Sequence, residues 1–175
     1  SVTENRTDVD LLMLDNTIES DGSDAVSLNL ERSHATTELE LRGNDINVTG
    51  SLSDAFNLRD GDSPGPVNTT VNVTADSNTL TTSDGTALYL ELWGAEGSRD
   101  IDLDNNTIDA GNSGYDVVAK GNDTSVEFRA VDNNITSEGN QILDIQGDQY
   151  DPYPNQTFDL EIARNTITEE VKVNA

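Results

Sequence analysis

The chain has 175 residues, enough for one domain with no room for a second module beside it. Thirty-four Asp and Glu against nine Lys and Arg give a formal charge of -25, so the surface repels DNA, RNA and anionic lipid and excludes nucleic acid as a partner. There is no cysteine for a disulfide or thiolate metal site, and no apolar run long enough for direct membrane insertion.

Apolar residues make up 33% of the chain, which leaves two readings, disorder or adaptation to high salt. Disordered chains lack regular apolar alternation, and this one has it throughout. At molar ionic strength the Debye length is about 3 Å, so the repulsion between carboxylates is screened and a folded state tolerates them. With Lys120 and Lys172 the only lysines, the composition resembles that of proteins from extreme halophiles.

The predicted elements repeat one phrase, an alternating apolar pair followed by Asn, any residue, and Ile or Leu. It is first written Leu11-Leu12-Met13-Leu14-Asp15-Asn16-Thr17-Ile18. A Gly, Ser and Asp bend follows, then the alternating run Val26-Ser27-Leu28-Asn29-Leu30. The second copy pairs Leu39-Glu40-Leu41-Arg42-Gly43-Asn44-Asp45-Ile46 with Phe56-Asn57-Leu58, and the third pairs Asn78-Thr79-Leu80 with Leu88-Tyr89-Leu90-Glu91-Leu92. In the fourth, Ile101-Asp102-Leu103-Asp104-Asn105-Asn106-Thr107-Ile108 precedes a less regular Val117-Val118-Ala119. Asn133-Asn134-Ile135 with Leu143-Asp144-Ile145, and Leu160-Glu161-Ile162-Ala163-Arg164-Asn165-Thr166-Ile167 with Val171-Lys172-Val173, complete the series.

Successive asparagines lie 28, 34, 28, 27 and 32 residues apart, a loose period that marks a solenoid of stacked units. The apolar spacing is two, not 3.6, so each unit is strands with one buried face. Three short strands separated by bends make one turn of a prism, and each strand pairs in parallel with its copy about 4.8 Å away. The expected fold is all-β, a right-handed parallel β-helix of about six coils with three short strands per coil, spanning residues 1–175. A leucine-rich repeat shares the Leu-x-Leu-x-x-Asn-x-Ile signature, but the second half of each unit alternates like a strand where that repeat places a helix or convex segment.

This pattern resembles the right-handed parallel β-helix repeats of the pectate-lyase-like superfamily, with Asn16, Asn44, Asn78, Asn106, Asn133 and Asn165 matching the Asn ladder at its tight bend. The resemblance covers nearly the whole chain and implies a fold more than an activity, because that scaffold carries lyases, hydrolases, epimerases, tailspikes and adhesins. Neither end carries an amphipathic capping helix, and open strand edges invite pairing. The expectation is a segment of a longer chain or assembly, with neighbouring domains or further copies at the ends.

The resemblance also implies that chemistry, if any, sits on the outer face of the strand after the second bend. There the third copy presents Tyr89, Glu91 and Trp93, flanked by Arg59 from the second copy and Lys120 from the fourth. Aromatic rings beside a carboxylate suit stacking on a sugar and accepting its hydroxyl hydrogens. The Tyr150-Asp151-Pro152-Tyr153-Pro154 loop offers Tyr150 and Tyr153 as further contacts. Glycoside hydrolysis needs two carboxyl groups about 5 to 9.5 Å apart. Glu91, Glu31 and Asp144, two coils apart at roughly 4.8 Å per coil, are the catalytic candidates.

Asp21, Asp24, Asp60 and Asp62 in Asp-rich bends are candidate calcium ligands, although no defined calcium-loop spacing is present, and no other cofactor is expected. The single histidine, His34, excludes a His-based triad or zinc cluster. Asn5, Asn47, Asn68, Asn72, Asn105, Asn122, Asn134 and Asn155 each head an Asn-x-Thr triplet, an acceptor pattern for glycosylation in an exported protein. The functional expectation is a noncatalytic extracellular or cell-surface structural or adhesive segment contacting a polysaccharide or another surface protein. A polysaccharide lyase or glycoside hydrolase acting on an acidic polysaccharide, and a viral tailspike or fibre segment, are the alternatives.

Overall fold

The computed structural model describes residues 7–30, 34–60, 70–93, 97–120, 124–138, 141–146, 156–168 and 171–174, with backbone alone at 7, 34, 35, 120, 141–146 and 171–174. Its strands fall into six coils of three. The first three coils hold β1 (Thr7–Leu14), β2 (Thr17–Ser20), β3 (Val26–Leu30), β4 (His34–Arg42), β5 (Asp45–Val48), β6 (Phe56–Asp60), β7 (Thr70–Asp76), β8 (Thr79–Thr82) and β9 (Leu88–Trp93). The last three hold β10 (Ser98–Asp104), β11 (Thr107–Ala110), β12 (Ser113–Lys120), β13 (Ser125–Val131), β14 (Asn134–Ser137), β15 (Gln141–Gln146), β16 (Thr157–Ala163), β17 (Thr166–Ile167) and β18 (Val171–Asn174).

Every third strand pairs in parallel with its copy, which produces three six-stranded sheets, β1-β4-β7-β10-β13-β16, β2-β5-β8-β11-β14-β17 and β3-β6-β9-β12-β15-β18. This is a parallel β-helix, and the described residues contain no helix long and apolar enough to cross a membrane. Register is in phase from coil to coil, so like residues stack. Leu11, Leu39, Val73, Ile101, Phe128 and Leu160 form one inward rank, and Ile18, Ile46, Leu80, Ile108, Ile135 and Ile167 another. Period-two alternation specifies this register strongly, because a slip of one residue would turn each apolar rank to water.

At the bend between the first and second strands the six asparagines form one continuous chain of hydrogen bonds. Asn44, Asn78, Asn106 and Asn133 are almost wholly buried there. Each accepts at Oδ1 from both the backbone N–H and the Nδ2 of the asparagine one coil earlier, for example Asn78 N and Nδ2 onto Asn106 Oδ1 at 2.9 and 3.0 Å. The second Nδ2 hydrogen goes back to a strand carbonyl of the preceding coil, such as Asn106 to Ala75 O at 2.8 Å. The residue just before each ladder asparagine takes a left-handed conformation, with φ between 52° at Asp15 and 62° at Gly43. That conformation turns the chain sharply enough to aim the amide along the stack.

The sequence reading missed several polar side chains inside the shaft, Tyr115, Arg99 and Asp60 among them. Tyr115 is 0% exposed, stacked in register with Leu88, and its hydroxyl donates to Asn133 Oδ1 at 3.0 Å. The irregular fourth copy arises because β12 starts at Ser113 and turns Tyr115, Val117 and Ala119 inward together. Burial pushes the Tyr115 phenol well above its usual range, so it stays a donor. Replacing Tyr115 with Phe keeps the packing and removes this donor; stability measured by denaturation in molar KCl is expected to fall by about 1 kcal/mol.

Arg99 and Asp60 both stand at positions where neighbouring coils place Val or Leu. Burial disfavours the Arg99 cation and the charge of Asp60 restores it in part. Asp60 was expected in an exposed Asp-rich bend; it is instead the last residue of β6 with its side chain in the shaft, because the alternation runs one step further than the apolar residues do.

Candidate functional site

The outer face of the third sheet carries the constellation that the sequence singled out. β6, β9 and β12 place Asn57, Tyr89 and Asp116 in one outward rank and Arg59, Glu91 and Val118 in the next. Arg59 is the open member. Its side chain is 56% exposed, its Nε lies 3.7 Å from Glu91 Oε2, and its guanidinium carbon sits 5.8 Å from the Tyr89 ring centroid. Tyr89 is half-buried, and its phenol is pushed up to about 12, first by burial and then by the charges of Glu91 and Asp116, against which Arg59 acts. The hydroxyl therefore remains protonated under ordinary conditions and can donate.

Asn57 links this face to the bend before the third strand by donating to Asp54 Oδ2 at 3.0 Å. Asp54 stands in a short carboxylate ladder of its own. Asp24 Oδ1 accepts from Asp54 N and Asp54 Oδ1 accepts from Thr86 N, both at 2.9 Å. Its carboxyl is raised above the ordinary range, chiefly by burial, and further by the Asp24 charge, while Thr86, Asn57 and Arg59 act the other way. Neither Asp54 nor Asp116 figured among the sequence candidates. Asp54 belongs to a bend with no apolar pattern, and Asp116 follows a tyrosine whose inward orientation the sequence reading did not see.

Trp93 ends β9, half-buried, opposite Lys120 in register. The backbone of Asp144 continues the Asn57, Tyr89 and Asp116 rank, so it does not share the rank of Glu91. The side chains of Asp144 and Lys120 lie outside the described residues, as do Glu31, Tyr150, Tyr153, Asp62, Asn5, Asn68, Asn122 and Asn155. Asp21 and Asp24 sit in the bend of the first coil while Asp60 faces the shaft interior, so these acids do not converge. Among the described residues no group of three or more acids or histidines is arranged to hold a metal ion. Asn47 and Asn72 are half-buried on outer faces, whereas Asn105 and Asn134 are exposed.

No family model matches this chain, and no curated protein or solved structure matches it either. The first sheet's outer side stacks Asp10, Glu38, Asn72, Asp100, Glu127 and Asp159 in one rank and Leu12, Glu40, Thr74, Asp102, Arg129 and Glu161 beside it. A shallow groove of about 470 Å³ runs across Asp10, Leu12, Glu38, Glu40, Asn72 and Thr74. On this face Arg42 pairs with Glu40 at 2.8 Å, and Arg129 donates to Asp102 Oδ1 at 2.6 Å and to Asp104, with Glu161 3.4 Å away. The Arg129 contacts hold its guanidinium above its ordinary range.

Two carboxylates about 4.8 Å apart repel by about 1 kcal/mol in unscreened water. Molar salt reduces this to about a fifth. In-register stacking sets like charges one coil apart on this face wherever neighbouring coils both carry acids, as at Asp10 and Glu38 or at Asp100, Glu127 and Asp159. The third sheet differs in adding an aromatic ring, Tyr89, and an exposed guanidinium, Arg59, to its carboxylates Glu91 and Asp116.

Proposed function

We propose that this chain is a noncatalytic segment of an extracellular or cell-surface shaft, adapted to high salt, that contacts glycans through the third sheet. It would serve as a stalk or adhesive element of the kind built on right-handed β-helices of the pectate-lyase-like superfamily. The supporting observation is the half-buried Tyr89 held between Asn57 and Asp116 with Arg59 and Glu91 alongside. A ring fixed on a sheet stacks on the apolar face of a pyranose at little entropic cost, and the surrounding amide, carboxylate and guanidinium match its hydroxyls.

The charge of the chain favours neutral glycans over polyanionic ones wherever salt is low. The Glu91 carboxylate lies within ion-pair distance of Arg59, an arrangement better suited to orienting a ligand than to donating a proton. Binding of neutral oligosaccharides on a glycan array in molar KCl is expected, with Tyr89→Ala weakening it about tenfold, or about 1.4 kcal/mol. Absence of binding, or binding indifferent to Tyr89, would remove the glycan role. Release of reducing ends or unsaturated sugars that is lost in Glu91→Gln would establish the enzymatic alternative instead.

A further inference from the structure

From the third coil onward the outer face of the second sheet is nearly free of charge. In one outward rank Thr79, Thr107, Asn134 and Thr166 follow one another. In the rank beside it Asp109 is a lone carboxylate between Thr81 and Thr136. Over the same coils the first sheet stacks Asp100, Glu127 and Asp159. On a chain of net charge -25 the second sheet is therefore the side where a neutral, hydroxyl-rich group can lie without stripping water from a row of carboxylates.

Asn134 stands in the middle of this side. It is exposed in β14, with Thr107 and Thr166 directly before and after it in register, and among the described residues no group bonds its side-chain amide. It heads Asn134-Ile135-Thr136. Alternate residues of a strand share a face, so the amide and the Thr136 hydroxyl both project outward while Ile135, 1% exposed, takes the inward place. The acceptor pattern for N-glycosylation is thus displayed whole on a rigid strand.

The other described acceptors are placed less favourably. Asn47 and Asn72 are half-buried, and Asn72 stands between Glu38 and Asp100 in register. Asn105 is exposed, but its Nδ2 donates to Asp76 Oδ1 at 3.2 Å, so a sugar on that nitrogen would be pressed against a carboxylate. A glycan is bulky and hydrated; the folded coil keeps it only where folding does not have to bury it.

We propose that Asn134 carries a covalently attached glycan whose first sugars lie over Thr107, Thr136 and Thr166, while Asn47, Asn72 and Asn105 stay bare. In the attachment the Asn134 amide nitrogen bonds to the anomeric carbon of an oligosaccharide carried on a polyprenyl phosphate. The bond from that carbon to the phosphate oxygen breaks, the phosphate leaves with the electron pair, and the amide gives up one proton to a base of the transferase. The threonine methyl groups then meet the apolar face of the sugar ring and their hydroxyls bond to its hydroxyls. This rests on the extracellular location proposed above, but it uses a different side of the shaft from Tyr89 and leaves that surface open.

Peptide mapping by mass spectrometry, on protein recovered from the cells that make it, tests the assignment. The peptide holding Asn134 is expected to carry a saccharide mass, and those holding Asn47, Asn72 and Asn105 none. Asn134→Gln and Thr136→Ala, each produced in the same cells, should both abolish that mass, whereas Thr136→Ser keeps it. Loss in Thr136→Ala, with the asparagine intact, marks enzymatic attachment through the acceptor pattern. A bare Asn134 overturns the inference, as does a saccharide at Asn72 in its place or a mass that survives Thr136→Ala. Protease digestion of intact cells separates this failure from that of the surface reading. A chain cut from outside but bare at Asn134 leaves the surface shaft standing, whereas a bare chain protected inside the cell overturns both.

Discussion

Asn106→Ala is expected to lower stability by about 4 kcal/mol, whereas Asn16→Ala lowers it by about 1 kcal/mol. The difference lies in what each leaves behind. Asn106 is 1% exposed and accepts at Oδ1 from Asn78 N and Nδ2 while donating to Ala75 O and Asn133 Oδ1. Removing its amide strands the Asn78 backbone N–H and one Asn78 Nδ2 hydrogen and takes a donor from Ala75 O in a buried corner, while Asn133 Oδ1 keeps the Asn106 N–H and the Tyr115 hydroxyl; each unpaired buried group costs about 1 to 3 kcal/mol. Asn16 is exposed, so water replaces the lost partners. Asn106→Asp should also be damaging, because it keeps the acceptor but turns a carboxylate oxygen toward Asn133 Oδ1. Chemical denaturation of the three variants in molar KCl checks the ranking. Equal losses at Asn106 and Asn16 would show that the ladder does not act through buried pairing.

The second large effect is expected at Gly85, in the bend between the second and third strands of the third coil. A Cβ there would lie 1.9 Å from Ser53 O and 2.5 Å from Ser53 C, backbone atoms of the preceding coil. Gly85 shows no left-handed φ, so its requirement is for space between coils and not for conformational freedom. Backbone cannot yield as a side-chain tip can, and the neighbouring Thr86 N–H is tied to Asp54 Oδ1 at 2.9 Å. Gly85→Ala must therefore pry two coils apart at that corner, at a cost of about 3 kcal/mol. Gly22→Ala is the control, since nothing lies within 4 Å of its added carbon. Thermal unfolding of the pair should show a drop of several degrees for Gly85→Ala and almost none for Gly22→Ala.

Much of the architecture was legible because a parallel in-register stack sets each residue against its own copy. The runs from Leu39 to Ile46 and from Ile101 to Ile108 alternate cleanly, and the asparagines recur at the spacing of a coil, so strands, inward ranks and the ladder corner could be located from the chain itself. The strands of the first sheet nevertheless begin earlier than their apolar residues, at His34 and Ser98, since polar residues continue a ladder that their neighbours already offer. The same extension explains why Asp60 and Arg99 point inward. Parity along a strand is a property of the backbone and persists where the residues cease to be apolar.

The site was legible only in part. Tyr89, Glu91 and Trp93 lie on one strand flanked by regular leucines, so their shared orientation could be read directly. The partnership of Arg59 with both Glu91 and Tyr89 could be proposed as proximity but not as a contact. Asp54 and Asp116 gave no signal at all, one lying in a bend and the other behind the inward Tyr115.

By itself, then, the amino-acid sequence determined the period of the coil, the faces of its strands and the line of its asparagines, because alternation and recurrence are local and survive variable loops. Tertiary structure alone decided which groups meet across coils: Arg59 with Tyr89, Tyr115 with Asn133, and the Asp24 carboxylate with the Asp54 backbone N–H. Partners in the ladder lie 27 to 34 residues apart in the chain yet within hydrogen-bond reach in space. The loops between them differ in length, so only the paired backbones bring one coil into phase with the next.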